Sequence, residues 1–66
     1  MKFKDIIIEL RKQKNLSQSQ LAKDLELNQT TISTWELGKK LPDYNSLVQL
    51  AKYFDVSGDY LLGLED

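Results

Sequence analysis

A short segment in the middle of the chain, residues 28–36, carries amide and hydroxyl side chains at helical spacing. Gln29 and Thr30 lie near its start, and Ser33 and Thr34 follow about one turn later. At 100° per residue, Thr30 and Thr34 point away from the apolar side of this predicted helix. A glutamine amide can make two hydrogen bonds to adenine, and a threonine can offer a hydroxyl to a base edge and a methyl group to thymine. The four side chains therefore predict direct readout of double-stranded DNA in the major groove.

Helix-capping residues indicate how this segment is positioned. Ser17 can accept a hydrogen bond from the Gln20 backbone N–H, and Gln20 can return one to Ser17, so a helix is predicted to begin at the residue after Ser17. Asn28 is the next favourable N-cap, which leaves only Glu26 and Leu27 to form the turn. Two short helices joined by so tight a turn form a predicted helix-turn-helix.

Three further helices are predicted to support this pair. The first runs over about 4–14, another follows an Asp43 N-cap, and a last short helix runs from a Ser57 cap through Leu62. Two glycines stand where left-handed residues commonly end helices, Gly38 and Gly63. The residues expected to face inward on the first and fourth helices are Phe3, Ile7, Leu10 and the stem of Arg11, then Leu47, Leu50, Ala51 and Phe54. The predicted fold is all-α, a compact five-helix bundle forming one domain over 1–66.

This pattern resembles the Cro/cI-type helix-turn-helix family of phage repressors and related small bacterial regulators. The resemblance covers almost the whole chain and is carried by Ile7, Leu10, Arg11, Ser17, Gln18, Leu21, Ala22, Ile32, Trp35, Glu36, Gly38 through Pro42, Leu47, Leu50, Ala51, Val56, Ser57 and Asp59 through Leu62. It implies a lambda-repressor-like fold and a sequence-specific transcriptional regulator, with a homodimeric repressor on a short palindrome as the expected form. The family usually has glycine at the turn position that Glu26 occupies, where a left-handed backbone is expected.

The resemblance also implies contacts to DNA phosphates. Gln18 matches a family position that bonds a phosphate and steadies the first side chain of the recognition helix, and Tyr44 and Asn45 match further phosphate donors. From the sequence itself, Lys39 and Lys40 are predicted to reach the DNA backbone because they leave the helix immediately after its end. Each of these residues could instead be an ordinary solvated polar side chain.

Arg11 and Glu36 are expected to form an ion pair. Each falls on the inner side of its own predicted helix, where an unpaired charge would cost several kcal/mol. The family has a similar buried pair at the matching positions, and its role would be to fix the angle between the first helix and the recognition helix. The alternative is that both side chains extend to water.

The apolar content of the last helix raises the question of a partner. Tyr60, Leu61 and Leu62 could simply close the core, or they could belong to a dimer interface, as the resemblance implies, with Gly58, Tyr60 and Leu61 as its residues. A second functional hypothesis is an antitoxin-type or adaptor module whose protein partner docks on this helix.

The charge distribution favours DNA binding although the net charge is −1. Residues 1–40 hold eight basic and five acidic side chains, a net +3, and residues 41–66 hold one basic and five acidic side chains, a net −4. The basic part therefore contains the helix-turn-helix, which favours local attraction to phosphates. An accidental asymmetry of a solvated surface is the alternative.

Composition argues against several other classes of function. The chain has no cysteine and no histidine, so a disulfide and the usual zinc ligands are not expected. We find no set of nucleophile, base or metal ligands and no sign of a small-molecule site, so neither an enzyme nor a cofactor is predicted. The lack of cysteine makes a reducing cytoplasm the expected setting, and because the sequence has no signal peptide and no long apolar run, no membrane partner is predicted. A chain of 66 residues buries only about 60% of its unfolded surface, so a partner subunit would add stability.

Overall fold

The computed structural model describes residues 1–65 and consists of five helices. They are α1 (Phe3–Gln13), α2 (Gln18–Asp24), α3 (Gln29–Glu36), α4 (Tyr44–Phe54) and α5 (Gly58–Leu61). Over the described range there is no strand, so the predicted all-α, five-helix, lambda-repressor-like fold is confirmed. None of the helices in residues 1–65 combines the length and the apolar content that crossing a bilayer requires.

The helices begin largely where the capping residues predict. The Ser17 hydroxyl accepts the Gln20 backbone N–H at 3.0 Å, and the Gln20 side chain accepts the Ser17 N–H at 2.9 Å, which is the predicted capping box. Asp43 and Ser57 likewise each accept a backbone N–H from three residues ahead. Asn28 occupies the N-cap of α3 with extended backbone angles, but its side chain makes no capping hydrogen bond. The residue therefore caps α3 by its backbone conformation alone.

Residues with left-handed backbone conformation follow each of the five helices, some at positions that the sequence predicts and others not. Gly38 and Gly63 both have φ of +77°, as their positions predict, and Glu26 has φ of +59°. Asn15 and Asp55, at +57° and +56°, adopt the same conformation, which the sequence pattern does not predict. A side chain with a Cβ atom is disfavoured in this region by about 1–2 kcal/mol, less for Asn and Asp than for Glu.

The turn between α2 and α3 is closed by two returning backbone hydrogen bonds. The Glu26 N–H donates to the Lys23 carbonyl at 3.1 Å, and the Leu27 N–H donates to the Ala22 carbonyl at 2.8 Å. This is a Schellman motif, in which the left-handed residue turns the chain sharply enough to satisfy the last carbonyls of the helix. The sharp turn sets α3 across α2 and completes the helix-turn-helix.

A single apolar core lies between the helices. Its members are Phe3, Ile6, Ile7, Leu10, Leu21, Ala22, Leu25, Ile32, Trp35, Leu50, Phe54 and Leu61. Ile6 is buried although it was not expected to face inward; because α1 packs against both α3 and α5, its buried face is wider than one stripe. Conversely, Leu47 and Ala51 are only half-buried and cover the edge of the core.

Candidate nucleic-acid interface

The α3 helix has an apolar side in the core and a polar side at the surface. Ile32 is completely buried, which anchors the helix by its inner side. Gln29 and Thr30 are exposed at the start of the helix, and Ser33 and Thr34 are half-buried one turn later. The four predicted readout residues therefore share the outer surface of one helix.

The Thr34 hydroxyl already has a partner within α3. It donates to the carbonyl oxygen of Thr30 at 2.8 Å, an intrahelical bond that is common for threonine. Its hydrogen is thus occupied, whereas the lone pairs of its oxygen and its methyl group are not. Toward a base, Thr34 in this rotamer can accept a hydrogen bond or contact a thymine methyl group.

Arg11 and Glu36 form a close ion pair that joins α1 to α3. Arg11 Nε lies 2.7 Å from Glu36 Oε2, and Arg11 Nη2 lies 3.1 Å from Glu36 Oε1, so the contact is bidentate. A third guanidinium nitrogen, Nη1, donates to the Leu16 carbonyl at 2.7 Å. The side chains are 14% and 7% exposed, so they pair beneath the surface and do not extend to water. The hydrogen bond to Glu36 raises the pKa of Arg11 above its ordinary value.

Gln18 links this ion pair to the outer surface of α3. Its Nε2 donates to Glu36 Oε1 at 3.0 Å, and its Oε1 lies 3.5 Å from Gln29 Nε2, at the outer limit of a hydrogen bond. A continuous series of polar contacts therefore runs from Arg11 in α1, through Glu36 and Gln18, to Gln29. Gln18 lies in the first turn of α2 next to the first residue of α3, the placement expected for a residue that steadies Gln29.

Ser19 also contacts Gln29, and the sequence pattern does not predict it as a site residue. The Ser19 hydroxyl donates to Gln29 Oε1 at 2.8 Å. The two residues are ten positions apart and meet because the turn folds the start of α3 back over the start of α2. The only sequence signal for this contact is a small hydroxyl residue in the first turn of the supporting helix.

Four of the five residues predicted to contact phosphates lie beyond the end of α3, and the fifth, Gln18, begins α2. Lys39 and Lys40 are exposed in the loop that follows Gly38. Tyr44, which is 78% exposed, and Asn45 are the first two residues of α4. Their N–H groups stand at the partly positive end of that helix, which suits an anionic partner.

The C-terminal helix requires one correction to the predicted interface. Leu61 is completely buried in the core of its own protomer, so its side chain has no surface to offer a partner. Its burial follows from the packing of α5 against α1 and α4. Gly58 and Tyr60 remain half-buried, and Gly58 lies over Leu47.

Comparison with known proteins relates the whole arrangement to transcription regulators. A family model described as helix-turn-helix matches residues 7–61. The HTH-type transcriptional activator BcrR of Enterococcus faecalis is 44% identical over 66 residues, which are 100% of this chain and 32% of that protein. The HTH-type transcriptional regulator YqaE of Bacillus subtilis is 38% identical over 60 residues, 91% of this chain and 52% of that protein. The cryptic phage CTXphi transcriptional repressor RstR of Vibrio cholerae is 33% identical over 63 residues, 96% of this chain and 56% of that protein.

The fold and the matched residues place the chain in one class of protein. It belongs to the Cro/cI-type helix-turn-helix family, as the sequence resemblance predicts. The chain spans from about a third to just over half of the length of these relatives.

Proposed function

We propose that this chain binds double-stranded DNA and represses transcription as a homodimer on a short palindromic operator. The observation that supports this most strongly is the outer surface of α3, where readout side chains project from a helix anchored in the core and Gln29 is held by a network that reaches Arg11. A side chain held before binding loses less conformational entropy when it meets its target.

The readout residues begin at the end of α3 that enters the major groove first. Gln29 is the first residue of the helix, and in helix-turn-helix proteins the N-terminal residues of the recognition helix contact base edges. Its amide can pair with adenine. Thr34 lies farther along the groove, where it accepts a hydrogen bond or contacts thymine, and Thr30 and Ser33 complete the surface.

The phosphate contacts orient α3 without reading sequence. Lys39 and Lys40 neutralise phosphates beside the groove, and Tyr44 and Asn45 donate to the same strand from the start of α4. Gln18 contacts a further phosphate from the start of α2. Phosphate contacts set the register of the protein on the duplex and add affinity for DNA, whereas base contacts set the preference for a DNA sequence.

Dimerisation places two recognition helices on one side of the duplex. Helix-turn-helix dimers bind half-sites about 34 Å apart, one helical turn along the DNA. Tyr60 and Gly58 on α5 form the proposed interface, because both retain accessible surface where Leu61 does not. Repression then requires only that the dimer occupy a promoter, and the relative RstR is a named transcriptional repressor.

Selection of bound sequences from random DNA tests the proposal. The expected result is an inverted repeat whose half-site centres lie about 10 base pairs apart. Thr34→Ala is the matched variant, and it should relax preference at one position in each half-site. Binding that selects no sequence would refute the regulator proposal and favour the protein-interaction hypothesis, and a single half-site would refute the dimer.

A promoter assay then tests the direction of regulation. The selected operator is placed across a reporter promoter, with a scrambled operator as the control. Lower transcription with the intact operator supports repression, and higher transcription would show an activator.

A further inference from the structure

The Gln29 amide is held by two residues of α2, one of which accepts a hydrogen bond from it while the other donates one to it. Its Nε2 donates toward Gln18 Oε1 at 3.5 Å, and its Oε1 accepts from the Ser19 hydroxyl at 2.8 Å. A primary amide has two N–H groups and two lone pairs on its oxygen. Each contact uses one of these, so one N–H and one lone pair remain for a base.

The orientation of this amide is set from the core outward. The Glu36 carboxylate can only accept hydrogen bonds, and it already accepts two from Arg11. Gln18 must therefore turn its NH2 group toward Glu36, as the 3.0 Å contact shows, which leaves Gln18 Oε1 facing outward. Gln29 can satisfy that oxygen only with its own NH2 group, and its Oε1 then lies on the side of Ser19.

Ser19 supplies the shorter of the two contacts that hold the amide. Its hydroxyl can donate or accept, so the orientation comes from Gln18, and Ser19 restrains the amide once that orientation is set. The last torsion of a glutamine side chain is broad and nearly two-fold, so the amide reverses easily when little holds it. The contact between Gln29 and Gln18 is long, at 3.5 Å, whereas the contact between Gln29 and Ser19 is 2.8 Å. Without the Ser19 hydroxyl, one long contact would have to hold an exposed amide.

We infer that Ser19 is a positioning residue that restrains the Gln29 amide in the orientation that Glu36 imposes through Gln18, and so keeps its N–H and its oxygen aligned with the atoms of a base. The inference rests on the proposed function of Gln29 as a base reader. An amide paired with adenine places its nitrogen opposite N7 and its oxygen opposite the N6 amino group. Reversal sets acceptor against acceptor and donor against donor, so orientation determines base preference.

The first test compares Ser19→Ala with Ser19→Thr on the selected operator. Base preference is measured at the position where Gln29→Ala loses it, as the ratio of affinities for the preferred base and the other three. Ser19→Ala should lower this ratio about threefold to tenfold, the range expected for one neutral hydrogen bond. Ser19→Thr keeps a hydroxyl and should keep the preference, and affinity for unrelated DNA at the same salt concentration should be unchanged in both.

A double-mutant cycle shows whether Ser19 acts through Gln29. In the Gln29→Ala background, Ser19→Ala should cause no further loss of affinity for the selected operator because the amide it positions is gone. An equal loss in both backgrounds would show that Ser19 contacts DNA itself and would overturn the inference. Unchanged preference in Ser19→Ala would overturn it as well.

A measurement without DNA separates this inference from the proposed function. In free protein, 15N relaxation of the Gln29 side-chain NH2 group should show greater motion in Ser19→Ala than in the wild type, with backbone order unchanged. If the wild-type protein selects no DNA sequence, the proposed function fails while this measurement still tests the positioning. If the NH2 group is equally mobile in both proteins, the positioning fails whatever DNA the protein binds.

Discussion

Replacing Glu26 by glycine should stabilise this protein. Glu26 begins the turn between α2 and α3 with φ of +59°, and its side chain is exposed. Its backbone N–H and that of Leu27 close the turn, and glycine retains both hydrogen bonds. The substitution therefore removes the Cβ atom that makes this conformation unfavourable and leaves the contacts of the turn in place.

The expected gain is about 1 kcal/mol in the free energy of unfolding. A left-handed conformation costs an L-residue about 1–2 kcal/mol. Glycine offsets part of this because its unfolded chain is more flexible, by roughly 0.5–1 kcal/mol. For a domain of this size, a gain of 1 kcal/mol raises Tm by about 4–8 °C.

Thermal and urea unfolding followed by circular dichroism measure this gain. Glu26→Ala is the matched control because it removes the same charge but keeps a Cβ atom, and it should lie within about 0.5 kcal/mol of the wild type. Asn15→Gly, at φ of +57°, should give a smaller gain because asparagine tolerates this region better. A Glu26→Gly protein no more stable than Glu26→Ala would refute the assignment of strain to this turn.

Four further predictions concern binding and pH. Gln29→Ala should weaken specific binding by about 1–3 kcal/mol with little change in non-specific binding, and equal losses at one salt concentration would contradict base readout. Replacing Lys39 and Lys40 together with alanine should flatten the slope of log K against log salt by about 1.8, and an unchanged slope would reject both phosphate contacts. Tyr60→Asp should reduce co-operativity on the palindrome but spare half-site binding, provided that circular dichroism shows an intact fold; unchanged co-operativity would place the interface elsewhere. The backbone hydrogen bond from Ser46 lowers the pKa of Asp43, so the stability that this cap contributes should be present at neutral pH and be lost as pH falls below the ordinary aspartate range. Asp43→Asn should remove that part of the dependence of unfolding free energy on pH, and identical pH profiles for the two proteins would refute it.

Local sequence was sufficient to predict where most helices begin and end. Ser17 with Gln20, Asp43 and Ser57 cap helices through bonds that span three residues, so nearby sequence contains all the partners. Gly38 could be predicted in the same way because its positive φ depends on the preceding helix. The polar outer side of α3 also followed from helical spacing.

Tertiary packing decided which of these residues meet and which lose their surface. Ile6 and Leu61 are buried because α1 packs against both α3 and α5, a contact that no helical period contains. Ser19 reaches Gln29 only because the turn at Glu26 brings the first turn of α3 next to the first turn of α2. Hydrogen bonds between side chains far apart in sequence depend on the relative placement of helices to within fractions of an ångström, and that placement is set by the packing of the whole core.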